Sequence, residues 1–371
     1  MFLGIDVSTY LEQQRITHQK YTKNGEVIDP FKLFKEQGIT HIRTRIWNHP
    51  YDENNNPYFG GTCDLDNFIN LFHRLKEYDF RYLVDFHYSD FWTDPSKQFL
   101  PKAWENLSFD EVVEEVYKFT LNSMKRIKSE GIPVTHVQIG NEITRGMLWP
   151  HGQLGWKDER KPSFRRLSTL LKSGIKAVKE VYPNAEIIIH LEQSYDQACY
   201  DEYVKELLEN EVEFDILGSS YYPFWHHGFD EYFANQDMIR EKYHLKVMNC
   251  EVGYPFTLDD YLPEEDNDEI KHLVINKDNI DDFKEYLAYP ISKNGQAEFI
   301  KEFIKRGKKH HLEAIFYWEP LWIPGKGICW ASKSAQEYLH VIPKETRNEW
   351  ANQCMFDYNG EINPSALEFK L

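Results

Sequence analysis

Eight short apolar runs recur along the chain, at residues 2–8, 41–47, 81–89, 135–142, 186–193, 215–223, 246–253 and 313–320. They are near-continuous in hydrophobic character rather than alternating, as parallel strands covered on both faces must be. Helical patterns fill the gaps between them. Residues 30–37 stop at Gly38, the position where a left-handed glycine ends a helix. Residues 66–78 carry Phe68, Leu71, Phe72 and Leu75 on one face. Residues 108–130 open on a Ser108/Glu111 capping box and stop at Gly131. Further helices are expected at 163–181, 197–210, 230–243 and 295–308, with 364–369 as the last. Strand and helix alternating eight times predict an α/β fold, a (β/α)8 TIM barrel. A doubly wound sheet is the alternative. The barrel is preferred because eight strands are present and no Gly-rich phosphate loop follows any of them. No linker or low-complexity stretch interrupts the pattern, so residues 1–371 are read as a single domain. The longest insertion, residues 255–292, follows strand seven and is expected to lie over the face where that strand ends.

In such a barrel, functional groups sit at the C-terminal ends of the strands. The fourth run closes on Asn141-Glu142 and the seventh on Glu251, carboxylates that packing does not call for. Aromatic residues gather at the same ends: Trp47 after strand two, Trp92 after strand three, Tyr221-Tyr222 at strand six, and Trp318 with Trp330 at and after strand eight. A random aromatic core would not segregate in this way. The pattern predicts a wide cleft whose flat apolar faces fit sugar rings.

Two carboxylates at separate strand ends match the working parts of a retaining glycosidase. Glu142 is expected to be the acid/base and Glu251 the nucleophile. Asn141 would bond the hydroxyl next to the reacting carbon, and Arg45 would hold Glu251 ionised. His87 with Asp85 and Asp90 is read as a hydrogen-bond network in preference to a metal site.

The formal net charge of −17, from 43 basic and 60 acidic residues, disfavours nucleic acid and anionic lipid as partners. No apolar run is long enough to span a membrane. Five scattered cysteines contain no C-x-x-C, so neither a disulfide framework nor a zinc site is expected. The chain opens Met1-Phe2-Leu3-Gly4-Ile5-Asp6, which reads as a first strand rather than a signal peptide. Both a cytoplasmic enzyme and a secreted one whose signal is absent from this sequence remain open. A monomer is expected.

The segment Asp85-Phe86-His87-Tyr88-Ser89-Asp90-Phe91-Trp92-Thr93-Asp94-Pro95-Ser96-Lys97-Gln98 is the most specific in the chain. Together with Gly4-Ile5-Asp6-Val7-Ser8, Arg43-Thr44-Arg45-Ile46-Trp47-Asn48, Gly140-Asn141-Glu142-Ile143, Glu251-Val252-Gly253-Tyr254-Pro255 and Tyr317-Trp318-Glu319-Pro320, it resembles glycoside hydrolase family 53, the endo-β-1,4-galactanases. The resemblance runs through essentially the whole chain. It implies a clan A barrel, a retaining mechanism through Glu142 and Glu251, and a neutral substrate. The implied substrate is β-1,4-galactan, the side chain of pectin, or galacto-oligosaccharides derived from it. It implies sugar contacts for His87, Asp90, Trp92 and Trp318. A β-mannanase, a xylanase or a catalytically silent galactan-binding barrel are the alternatives. No cofactor is required for the chemistry. Bacterial members often bind calcium after strand seven through a D-x-D-x-H-x-N arrangement. Here Asp266, Asp268 and His272 are present, but the spacing to His is longer and the Asn is missing. A solvated acidic loop is therefore preferred to a calcium site.

Overall fold

The computed structural model describes residues 1–262 and 273–370. Eight parallel strands close into a barrel: β1 (Phe2–Asp6), β2 (Ile39–Ile46), β3 (Arg81–Phe86), β4 (Val134–Ile139), β5 (Glu186–Leu191), β6 (Ile216–Tyr221), β7 (Lys246–Val252) and β8 (Ala314–Trp318). Each strand pairs with the next in the chain, and β8 returns to β1 in register from Phe2↔Ala314 to Asp6↔Trp318. All eight expected strands are present.

The helices start where side chains can accept the free backbone N–H groups of a first turn. The helix Phe109–Ser129 opens on the Ser108/Glu111 capping box. The helix Leu65–Leu75 is capped by Asp64, and Lys293–Lys309 by Ser292. Arg160–Val181, Gln197–Glu209 and Phe229–Tyr243 complete the longer members of the outer layer. Helices Tyr10–Thr17 and Lys333–Tyr338 add to the expected set. The first of these buries Glu12 and Gln13 and has no apolar stripe to reveal it in sequence. The expected last helix is instead a 3-10 turn, Pro364–Leu367.

Side chains on alternate strand positions fill the barrel interior in layers. Leu83, Ile188, Ile216, Met248, Cys250 and Phe316 form an apolar plug. Gly4 makes room for Phe316, since a Cβ at Gly4 would stand 2.2 Å from that ring. Further toward the C-terminal ends of the strands, the interior turns polar with Asp6, Arg43, Asp85, Gln138, His190 and Ser220, all fully buried. The apolar plug is thus the floor beneath a layer of charge, and the candidate site stands on that layer.

Candidate active site

Glu251 reaches the barrel mouth through a β-bulge. Ser219 pairs with Asn249, but Ser220 pairs with Glu251, leaving Cys250 as the extra residue. Strict alternation would place Glu251 on the face opposite Met248 and Cys250. The extra residue reverses that phase and turns Glu251 inward. There its Oε1 lies 2.9 Å from Nη2 of Arg43, and its Oε2 accepts a hydrogen bond of 2.9 Å from the Tyr222 hydroxyl.

Glu142 sits three residues past the end of β4 and takes a left-handed conformation, φ 50°, after Gly140 at φ 83°. A non-glycine residue in this region costs energy that the surrounding structure must supply, and such residues cluster at functional sites. Oε1 of Glu142 accepts a hydrogen bond of 2.6 Å from Ser220 Oγ. Ser220 is also the register partner of Glu251. The two glutamates, 109 positions apart in sequence, therefore meet at one serine.

Their environments differ. Burial, the negative charge of Glu251 and that of Glu192 hold the Glu142 carboxyl well above the usual carboxylate range. Burial also raises Glu251, but the Arg43 guanidinium and the Tyr222 hydroxyl oppose it. Glu142 is thus the group that keeps its proton, and Glu251 the one that gives it up first.

Arg43 organises the floor. It contacts Asp6 at 2.9 Å, Asp85 at 2.8 Å and Asn141 Oδ1 at 3.1 Å, besides Glu251. Arg45, which the sequence pairs with Glu251, instead binds Glu319 at 2.7 Å and Asp6 at 3.3 Å. Both arginines point inward on β2; in register Arg45 is level with Asp85 and Arg43 with Leu83, one inward position deeper, and it is Arg43 whose guanidinium reaches Asp85 and Glu251. The guanidinium of Arg45 lies 4.4 Å from the ring centre of Trp92 and 5.3 Å from that of Trp318, so it braces the aromatic wall.

A cleft of about 720 Å³ opens over the two glutamates. Of the sequence-predicted residues, Glu142, Glu251, Asn141, Arg45, His87, Trp92, Trp318 and Trp330 line it. Three others do not. Trp47 is fully buried beneath the cleft, edge-on to Trp92 with ring centres 5.1 Å apart, and its indole N–H donates to Nδ1 of His87. Asp90 is buried as a clamp, accepting from the backbone N–H groups of His49 and Lys102. Tyr221 follows inward-facing Ser220 and so points outward, stacking on Phe303 at 5.2 Å between ring centres. Its neighbour Tyr222 lines the cleft instead, a residue that strand alternation identifies once Ser220 is known to face inward. Trp225, Trp322 and Trp350 also line the cleft, as do Asn276, Asn279 and Phe283 from the segment after β7. Asn141 binds inward, its Nδ2 donating to the Thr93 carbonyl at 2.9 Å. His87 lies 3.1 Å from Asp85 through Nε2 and accepts from Thr93 N at 3.2 Å, in a hydrogen-bond network. Asp266, Asp268 and His272 fall outside the described residues. Among the described residues, no cluster of three His, Cys, Asp or Glu side chains has the arrangement to hold a metal ion.

Known proteins share this architecture. The model of glycosyl hydrolase family 53 matches residues 2–369. An endo-β-1,4-galactanase of Bacillus subtilis (strain 168) is 33% identical over 391 residues, spanning 99% of this chain and 85% of that protein. An arabinogalactan endo-β-1,4-galactanase of Cellvibrio japonicus (strain Ueda107) is 29% identical, over 90% of this chain and 85% of that one. The GH53 catalytic domain of Ignisphaera aggregans superposes with a TM-score of 0.85 at 35% identity, covering 99% of this chain and 95% of that domain. With carboxylates ending the fourth and seventh strands of a parallel barrel beneath an aromatic cleft, and with a family match from its second residue to its 369th, this chain belongs to glycosyl hydrolase family 53 and is a glycosidase.

Proposed function

We propose that the enzyme cleaves β-1,4-linked galactan, or galacto-oligosaccharides derived from it, with retention of anomeric configuration. The observation that carries the chemistry is the contrast between the two carboxyls that meet at Ser220. Glu251, faced by Arg43 and Tyr222, acts as the nucleophile on the anomeric carbon. Glu142, raised by burial and neighbouring negative charge, donates its proton to the leaving oxygen and then takes one from water. The substrate assignment is supported by the names of the similar galactanases and by the tryptophan-lined cleft, whose apolar faces suit pyranose rings. Trp92, Trp318 and Trp330 are read as stacking surfaces, and Asn141, His87 and Arg45 as polar contacts or supports. The chain is taken as one catalytic unit, in keeping with a family match that runs through its length.

Release of reducing ends from unbranched β-1,4-galactan, mannan and xylan tests this reading. Galactan is expected to be cleaved preferentially, with the β-anomer appearing first by NMR. Glu142→Gln and Glu251→Gln are each expected to lose most activity while keeping the native far-UV circular dichroism. Preference for mannan or xylan would sink the substrate assignment, and first appearance of the α-anomer would sink retention.

A further inference from the structure

Arg43 can only donate hydrogen bonds, so each contact it makes fixes the polarity of its partner. Its Nε and Nη2 approach Oε1 of Gln138 at 3.3 and 3.1 Å. That turns the Gln138 amide nitrogen away, where its two hydrogens face three acceptors: Nδ1 of His190 at 3.0 Å, Oδ1 of Asn141 at 3.1 Å and the Gly140 carbonyl at 3.1 Å. Nε2 of His190 lies 3.0 Å from Ser220 Oγ, and Oγ lies 2.6 Å from Oε1 of Glu142. Arg43, Gln138, His190 and Ser220 are all fully buried. Burial, reinforced by the positive charge of Arg43, holds His190 well below its ordinary pKa. It is therefore neutral and carries one ring proton.

With Nδ1 accepting from Gln138, that ring proton sits on Nε2 and is donated to Ser220. The serine hydroxyl has a single proton, which is then aimed at Oε1 of Glu142. The reverse polarity would need Nδ1–H to donate to Asn141 Oδ1, 3.0 Å away. That oxygen already faces donors from Arg43 and Gln138, each at 3.1 Å. The reverse polarity would also draw the serine proton to Nε2 and demand that Glu142 carry its acid proton on Oε1, turned away from any substrate. Oε2 of Glu142 has no hydrogen-bond partner among the described residues, and the side chain borders the cleft.

We propose that Gln138, His190 and Ser220 form a one-way donor chain from Arg43 that keeps the acid proton of Glu142 on Oε2, the oxygen free to meet the leaving group. Ser220 and His190 are then positioning residues. The inference rests on the reading of Glu142 as the acid/base. It goes beyond that reading by assigning the proton to one oxygen and the cause to three residues on other strand positions. The proton itself travels from Oε2 to the departing glycosidic oxygen as the anomeric C–O bond breaks, and the chain supplies none of its own.

The test compares kcat/KM on β-1,4-galactan with kcat/KM on 2,4-dinitrophenyl β-galactobioside, whose leaving group departs without a proton. Ser220→Ala is expected to lose about 10- to 100-fold on galactan, within the range of general acid catalysis, and less than about threefold on the activated substrate. Its alkaline limb should move to higher pH, because the serine hydrogen bond favours the ionised form of Glu142. His190→Ala should show the same contrast between substrates. His190→Gln, which can still present an N–H to Ser220, should recover most of the loss. Thermal melting of each variant reports folding separately. Equal losses on both substrates, or no loss on either, in an enzyme that cleaves galactan would overturn the donor chain alone. An unsubstituted enzyme inactive on both substrates would overturn the galactanase reading and the proposal with it.

Discussion

Arg43 and Glu251 face each other at 2.9 Å from neighbouring layers of the barrel mouth, with Arg43 also bound to Asp6 and Asp85. One guanidinium therefore balances three buried carboxylates, and its planar fork is what lets it reach them together. Arg43→Lys keeps the charge but loses the fork. The lysine cannot contact all three, so Glu251 is left less well balanced and its pKa rises. The acid limb of the kcat/KM profile should move to higher pH. Stability should fall by about 3 kcal/mol, the scale for breaking a buried ion pair. An unchanged acid limb in a folded variant would show that Arg43 does not govern Glu251.

Tyr222 donates to the other oxygen of the same carboxylate, at 2.9 Å. Removing a hydrogen bond to a charged group costs about 1.5–3 kcal/mol. Tyr222→Phe is thus expected to lower kcat by about tenfold or more, with the ring still packed edge-on to Trp350 and Trp225 and the fold intact. Tyr221→Phe should be nearly silent for activity, since its hydroxyl donates to the His227 carbonyl outside the cleft. Steady-state kinetics on the two variants side by side decide the matter. Equal effects would mean that the distinction between the adjacent tyrosines is wrong.

The barrel was legible because strands covered on both faces must be apolar throughout, and Glu142 and Glu251 were legible as carboxylates closing such runs. Arg43 was not separable from Arg45: both share one face of β2, and only the depth of Asp85 and Glu251 in the closed barrel selects between them. The sequence does not separate Tyr222 from Tyr221, because the inward phase of β6 is set by packing against β7, whose bulge at Cys250 has no sequence mark. Ser220 and His190 carry no local signal at all. Their part in the site arises from three strands converging on Glu142. The hairpin Tyr21–Lys23 with Glu26–Ile28 is a different kind of omission. Its Asn24-Gly25 turn, at φ 54° and 78°, is a readable signature of a two-residue hairpin.

Gly4 tests the barrel floor. An added Cβ would come within 2.2 Å of the Phe316 ring, which is itself packed among Leu83, Ile188 and Met248 and has little room to retreat. Gly4→Ala is expected to destabilise the enzyme by about 1–3 kcal/mol, the usual range for overpacking a core. Denaturant unfolding at fixed pH measures it. A neutral result would mean that the plug is looser than its full burial indicates.

Glu192 offers a test of how Glu142 keeps its proton. It lies just past β5, buried, with one oxygen bonded by the Thr144 hydroxyl and the other without a hydrogen-bond partner among the described residues. Burial pushes its own carboxyl up to about 7 against the opposing Thr144 hydrogen bond. Its negative charge is one of the causes that raise Glu142. Glu192→Gln removes that charge, so the pKa of Glu142 falls and the acid is lost at lower pH. The alkaline limb of kcat/KM should therefore shift downward. Below about pH 7 Glu192 is mostly protonated and exerts little field, so variant and parent profiles should converge there. The acid limb, set by ionisation of Glu251, should stay in place. A pH–kcat/KM profile of the folded variant checks both limbs at once, and an alkaline limb that stayed put or moved upward would mean that Glu192 does not hold the proton on Glu142.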